Sequence, residues 1–226
     1  MVYPVLRGSS GVRLLEDPRQ VTSEWHILQA KRWLDFDAGR QLDSVLVYAA
    51  VELRLAIERT LFELLYLLKE RQIADEDVKR ARSLNGLQAL LRETDAFYRR
   101  TIEFTHLVAS VTAELPAVSA IDTAYLNRKW SELSEYCHLQ FKPAEAFQSP
   151  DREFQRRGFA LLQELLDRFL ELRVKGSMGV LQRSSMPEET RFIYDKFVAG
   201  KIDADQAKRM LVISGPVLGQ RPEPGS

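Results

Sequence analysis

A single cysteine, Cys137, stands among 226 residues, so no disulfide can close within the chain and no thiolate zinc cage can be built. Imidazoles are nearly as scarce, with only His26, His106 and His138. Net charge is missing too: 32 Lys and Arg balance 32 Asp and Glu, which excludes a surface that traps polyanions as a whole and leaves room for a local basic patch. No Gly-rich phosphate loop occurs. Long apolar runs are also absent. The most hydrophobic stretch, residues 45–68, is interrupted by Glu52, Arg54, Glu58, Arg59 and Glu63, whereas a bilayer span needs roughly 20 mostly apolar residues. No membrane partner is therefore expected, and the N-terminal residues 1–13 lack the apolar core of a leader. A reducing, cytoplasmic setting is the expectation.

Helix breakers are sparse where it matters. Neither Gly nor Pro occurs between Gly39 and Gly86, and only Pro116 interrupts the stretch from Gly86 to Pro143, so the centre of the chain suits long helices. Apolar residues are 45% and charged residues 28%, a globular balance. Strand signals are few. Asp17 and Pro18 suggest a cap and first turn for a helix to about residue 35 that presents Trp25, Leu28, Arg32 and Trp33. Residues 40–70 have the strongest pattern: Leu42, Val45, Leu46, Ala49, Leu53, Ala56, Ile57, Leu61, Leu64, Leu65 and Leu68 recur at three- and four-residue steps. Further helices are expected over 75–83, 87–92, 95–114, 122–139 and 152–174, with Asn85 and Gly86 as a break. The fold class implied is all-α, an elongated antiparallel bundle over 17–175 behind an N-terminal arm at 1–16. A linker at 176–187 then leads to a C-terminal helical hairpin at 188–213 and a loose tail at 214–226.

Two of the three histidines share one pattern, Glu103 with His106 and Glu135 with His138, each pair three residues apart on a helix face. Bundle di-metal sites use such pairs, because side chains at i and i+3 project together and grip one ion. Glu103, His106, Glu135 and His138 form that candidate set. The expected burial of Leu126, Trp130, Leu133 and Cys137 leaves Arg128, Ser131, Glu135 and His138 on a polar face. Arg100 and His106 form a second pattern, an arginine and a histidine separated by five residues. His can move a proton and Arg can neutralise charge developing on phosphorus; Arg19 and His26 are similarly spaced. Ser134 and His138 lie one turn apart without an evident third group for a triad. Cys137 is expected to be a small buried hydrophobe. Arg152, Arg156 and Arg157 with Phe154 and Phe159 suit a solvated helix face. In the hairpin, Asp203 and Asp205 at the start of the second helix would repel phosphates, so docking on the bundle or on a partner protein is expected rather than DNA reading.

The segment from Tyr48 through Glu52 and Arg54 to Glu58 and Arg59, followed by Leu133-Ser134-Glu135-Tyr136-Cys137-His138, resembles the helical bacterial proteins of the HEPN superfamily. The likeness covers roughly residues 40–174. It implies an antiparallel bundle, homodimerisation and, in active members, metal-independent RNA cleavage by an arginine and a histidine at the dimer cleft. Carried onto this chain, Arg100 and His106 would be the catalytic pair with Glu103 beside them, and Arg99, Arg128 and His138 would contact RNA. The resemblance implies a bacterial defence or toxin-antitoxin type role, with RNA and a homodimer or partner protein as ligands and no cofactor. If the chain is an enzyme, it is then an endoribonuclease. A non-catalytic module for dimerisation or partner binding, and a di-metal carboxylate protein, remain the alternatives.

Overall fold

The computed structural model describes residues 21–70, 73–112, 120–138, 151–174 and 181–215. Among these residues the fold is all-α, as the periodicity predicts. Eight helices are present: α1 (Ser23–Phe36), α2 (Asp43–Leu68), α3 (Asp75–Arg80), α4 (Leu84–Val111), α5 (Thr123–Cys137), α6 (Glu153–Val174), α7 (Glu188–Val198) and α8 (Ala204–Ser214). A 3-10 turn at Arg183–Ser185 precedes α7. No described helix is long and apolar enough to cross a membrane. By its contacts the chain groups into two compact units, one of Met1–Glu63 and Asp122–Arg173, the other of Leu64–Ile121 and Val174–Ser226. The long apolar helix α2 supplies nearly six turns to one unit and its last turn to the other.

In the first unit, α2 buries Leu46, Ala49, Ala50, Leu53, Ala56, Ile57 and Leu61 completely. Its alanines leave little side chain between backbones, and Gly158 of α6 continues that economy. A Cβ on Gly158 would lie 2.6 Å from Tyr136 of α5 and 2.7 Å from Leu46 of α2, so only glycine fits where the three helices cross. Helix α1 starts at Ser23 with the Thr22 hydroxyl accepting from the Trp25 N–H; Asp17 and Pro18, the expected start, lie outside the described residues. Its buried face is Ser23, Ile27, Ala30 and Leu34, and Trp25 is exposed. Polar contacts join this helix to α2: Glu63 accepts from both the N–H and the hydroxyl of Ser23, at 3.0 and 2.6 Å, and Glu52 bonds His26 at 2.7 Å. These bonds fix the rotation of α1. The turns into α2 and α6 each use an arginine with left-handed backbone, Arg40 at φ 54° and Arg152 at φ 51°. Such residues cost of order 1–3 kcal/mol unless held. Arg40 donates to the carbonyls of Leu34 and Asp37, and Arg152 to the Gln41 carbonyl and the Asp43 carboxylate.

In the second unit, the break expected at Asn85 and Gly86, and the gap at 93–94, do not occur. Helix α4 runs unbroken for 28 residues. Ser83 is its cap, accepting from the Gly86 N–H, and Gly86 lies inside the first turn because a Cβ there would lie 2.0 Å from the Arg80 carbonyl oxygen. Thr94 turns its hydroxyl back to the Leu90 and Leu91 carbonyls, so a poor helix former is accommodated locally. Helices α7 and α8 form the expected pair around Gly200 at φ 69°. Asp203 and Gln206 close a capping box at the start of α8; Asp203 is therefore a structural acceptor. The pair packs on α4 through Phe104, Val108, Met186, Ile193, Tyr194, Phe197, Ala207 and Leu211. Docking on the chain's own helix is thus the observed state of the hairpin.

Candidate functional site

Arg100, Glu103 and His106 all lie on α4, in the second unit. Six residues of α-helix turn through about 600°, which leaves Arg100 and His106 roughly 120° apart around the axis and about 9 Å apart along it. The expected convergence of the two side chains is therefore not a property of one regular helix. Arg100 is engaged elsewhere: its guanidinium lies 4.4 Å from the centre of the Phe197 ring on α7 and 3.2 Å from Glu103. A stacked and paired arginine is a packing group first, its charge already half answered. His106 is exposed. Arg99 bonds Asp95 at 2.8 Å on the solvent side of the same helix.

Glu135 and His138 belong to the first unit, at the end of α5, with His138 as the C-cap. The polar face expected for this helix is observed: Arg128, Ser131, Glu135 and His138 are all exposed. Its buried face is Leu126, Leu133 and Tyr136, with Trp130 and Cys137 half-buried beside it. Among the described residues no group of three or more His, Cys, Asp or Glu side chains gathers where it could hold a metal ion. Glu103 and His106 lie in the second unit, Glu135 and His138 in the first. Ser134 donates its hydroxyl to the Trp130 carbonyl. The basic cluster at the start of α6 is tied locally, Arg156 to Asp151 at 3.5 Å and Arg157 to Glu153 at 4.0 Å, while Phe154 and Phe159 are core.

The densest arrangement of chemistry-bearing groups lies on α2. Glu58 accepts from the Trp130 indole N–H at 2.7 Å, and Arg54 stacks over the same indole at 4.0 Å while standing 3.6 Å from Glu58. Burial pushes the Cys137 thiol above its ordinary value, against the pull of the neighbouring Arg54 guanidinium, so the thiol is protonated at neutral pH. On the opposite edge of α2, Glu52 holds His26, and Arg59 stands 3.5 Å from Glu63. Burial lowers the Arg59 pKa against the pull of Glu63.

Between those two charged edges runs an apolar strip. Tyr48, Val51 and Leu55 are 51, 37 and 38% exposed, and Phe62 continues the line two turns on, half-buried. Counted at about 100° per residue, these four side chains fall within one 60° sector of the α2 surface, with Arg54 and Glu58 on one flank and Glu52, Arg59 and Glu63 on the other. Trp33 of α1 stacks on Tyr48 at 4.9 Å, bracing the end of the strip. The sequence pattern contains the signal, since Tyr48, Leu55 and Phe62 recur at seven-residue steps. The pattern of buried leucines on the same helix masks it. Fold and site together define a helical protein with an exposed apolar strip on α2. No protein-family model, curated protein or solved structure matches the chain.

Proposed function

We propose that this chain is a non-catalytic helical module that pairs with a second copy of itself through the outer strip of α2. The observation that carries the reading is a neutral apolar strip on a helix whose neighbouring charges are already answered within the chain. A two-fold contact sets each group against its own kind, so an unpaired charge on such a face would repel its copy. Here Arg54 stands 3.6 Å from Glu58, Arg59 3.5 Å from Glu63 and Glu52 2.7 Å from the His26 ring, while two buried nitrogens of Arg59 make no hydrogen bond. Register adds support. In an antiparallel pairing of two α2 helices centred on Leu55, Tyr48 of one copy lies opposite Phe62 of the other. Arg54 then comes within about 3 Å, along the axis, of Glu58, and Glu52 within about 2 Å of Arg59. Leu55→Glu places a charge on the centre of the strip and is expected to convert a dimer to a monomer in sedimentation, with helicity by circular dichroism unchanged. A wild-type protein that sediments as a monomer at micromolar concentration overturns the pairing.

A second reading keeps the HEPN-like RNase of a bacterial defence or toxin-antitoxin type system, with RNA as substrate. It is favoured by one observation: the two segments that carry the resemblance lie against each other in the first unit, Arg54 touching Trp130 and Cys137. RNA cleavage in EDTA that is present in wild type and lost in His106→Ala, with sedimentation unchanged, would establish this reading over the first.

A further inference from the structure

An apolar groove opens on the surface of the α7–α8 hairpin. Ile193 and Met210 form its floor, Phe192 and Ile213 its walls, and Glu188 and Glu189 one lip, around a space of about 440 Å³. Phe192 is 53% and Ile213 86% exposed, so both walls present apolar surface to solvent. The charge at the lip is of one sign. Glu188 and Glu189 stand in the first turn of α7, no Lys or Arg lines the groove, and α8 ends beside them with no basic residue in its last turn. The carbonyl end of α8 therefore adds to the two carboxylates. At the other end of Phe192, Lys196 sits 4.1 Å over the ring, so the negative field is confined to the lip.

We infer that this groove takes an amphipathic helical segment of a partner protein, apolar on one face and basic at the end that meets Glu188 and Glu189. An unbranched methionine in the floor suits such an occupant, because it reshapes around side chains one helical turn apart. The inference is independent of the α2 pairing, which lies in the other unit. Fluorescence anisotropy tests it on the full chain with two labelled peptides of roughly 15 residues, identical in their leucine face, one ending in lysines and one in glutamates. The lysine peptide should bind saturably and the glutamate peptide at least about tenfold more weakly. Glu188→Lys with Glu189→Lys should reverse that order. Ile213→Asp, at a side chain already in solvent, should weaken the lysine peptide without changing helicity. Equal binding of the two peptides to wild type, no saturation by either, or indifference to Ile213→Asp would overturn it. So would a fall in the mass of the free protein on Ile213→Asp, which would place a second copy in the groove.

Discussion

The two units bury polar groups of different kinds. In the first, helices meet across charges that are largely sheltered: Glu63 on Ser23 and Arg59, Glu52 on His26, Glu58 on Trp130 and Arg54. In the second, the sheltered polar groups are neutral hydroxyls. Thr101 bonds Tyr194 at 3.0 Å inside the α4–α7 contact, and Tyr98 accepts from the Ile121 N–H at 2.7 Å. Its ion pairs lie mostly outside, such as Arg80 with Glu93 and Arg183 with Asp195. A sheltered charge fixes rotation and register, because any other arrangement strands it, yet adds little net stability. Aromatic packing does the reverse. Phe104 touches Tyr194 at 5.2 Å and Phe197 at 5.8 Å between ring centres, contributing area first and orientation second.

Tryptophan makes this contrast measurable, since Trp25, Trp33 and Trp130 all belong to the first unit. The largest effect is expected from Phe104→Ala, which empties the centre of the second unit at a cost of about 3–5 kcal/mol. Far-UV circular dichroism should then lose part of its signal at lower denaturant than tryptophan fluorescence does; coincident transitions would mean that the units unfold together and that the contrast is not energetic. Next comes Gly158→Ala, expected to cost about 1–3 kcal/mol by crowding Tyr136 and Leu46, with the earlier transition now in fluorescence. Thr101→Val leaves the Tyr194 hydroxyl without its partner and should cost about 1 kcal/mol, confined to the second unit.

The smallest effect concerns pH. The Lys129 ammonium, 2.9 Å from Glu164, and the Tyr125 hydroxyl hold that carboxyl below the usual glutamate range. A depressed folded value means stability that is present above the unfolded value of about 4.3 and is lost as the pH falls through the folded one. Lys129→Met should therefore move the Glu164 titration upward in carbon-detected NMR and flatten the acid limb of stability by less than about 1 kcal/mol, since Glu164 is half exposed. An unmoved titration would assign the depression to Tyr125 instead.

Much of the architecture was legible because helices announce themselves locally. The leucine and alanine steps of α2, the Asp122 cap of α5 and the turn at Gly200 are short-range features. Errors arose where a neighbour decides. Gly86 suggested a break, but it stands in a first turn where only the Arg80 carbonyl explains it. The face that α1 buries is likewise held by α2, through Glu52 on His26 and Glu63 on Ser23. Of the candidate site, the exposure of Glu135 and His138 was readable from the helical period, whereas the engagement of Arg100 by Phe197, 97 positions further along, was not.

The amino-acid order by itself determined that the chain is helical and where its most apolar helix lies, because periodicity, capping and composition act within a few residues. Tertiary structure alone decided which charges answer one another, that Arg100 stacks on an aromatic ring, and that Tyr48, Val51 and Leu55 face outward from a helix otherwise devoted to the core. Those outcomes depend on which helices pack together. No local pattern encodes that choice, since each α2 face offers apolar side chains and only the neighbours determine which of them remain uncovered.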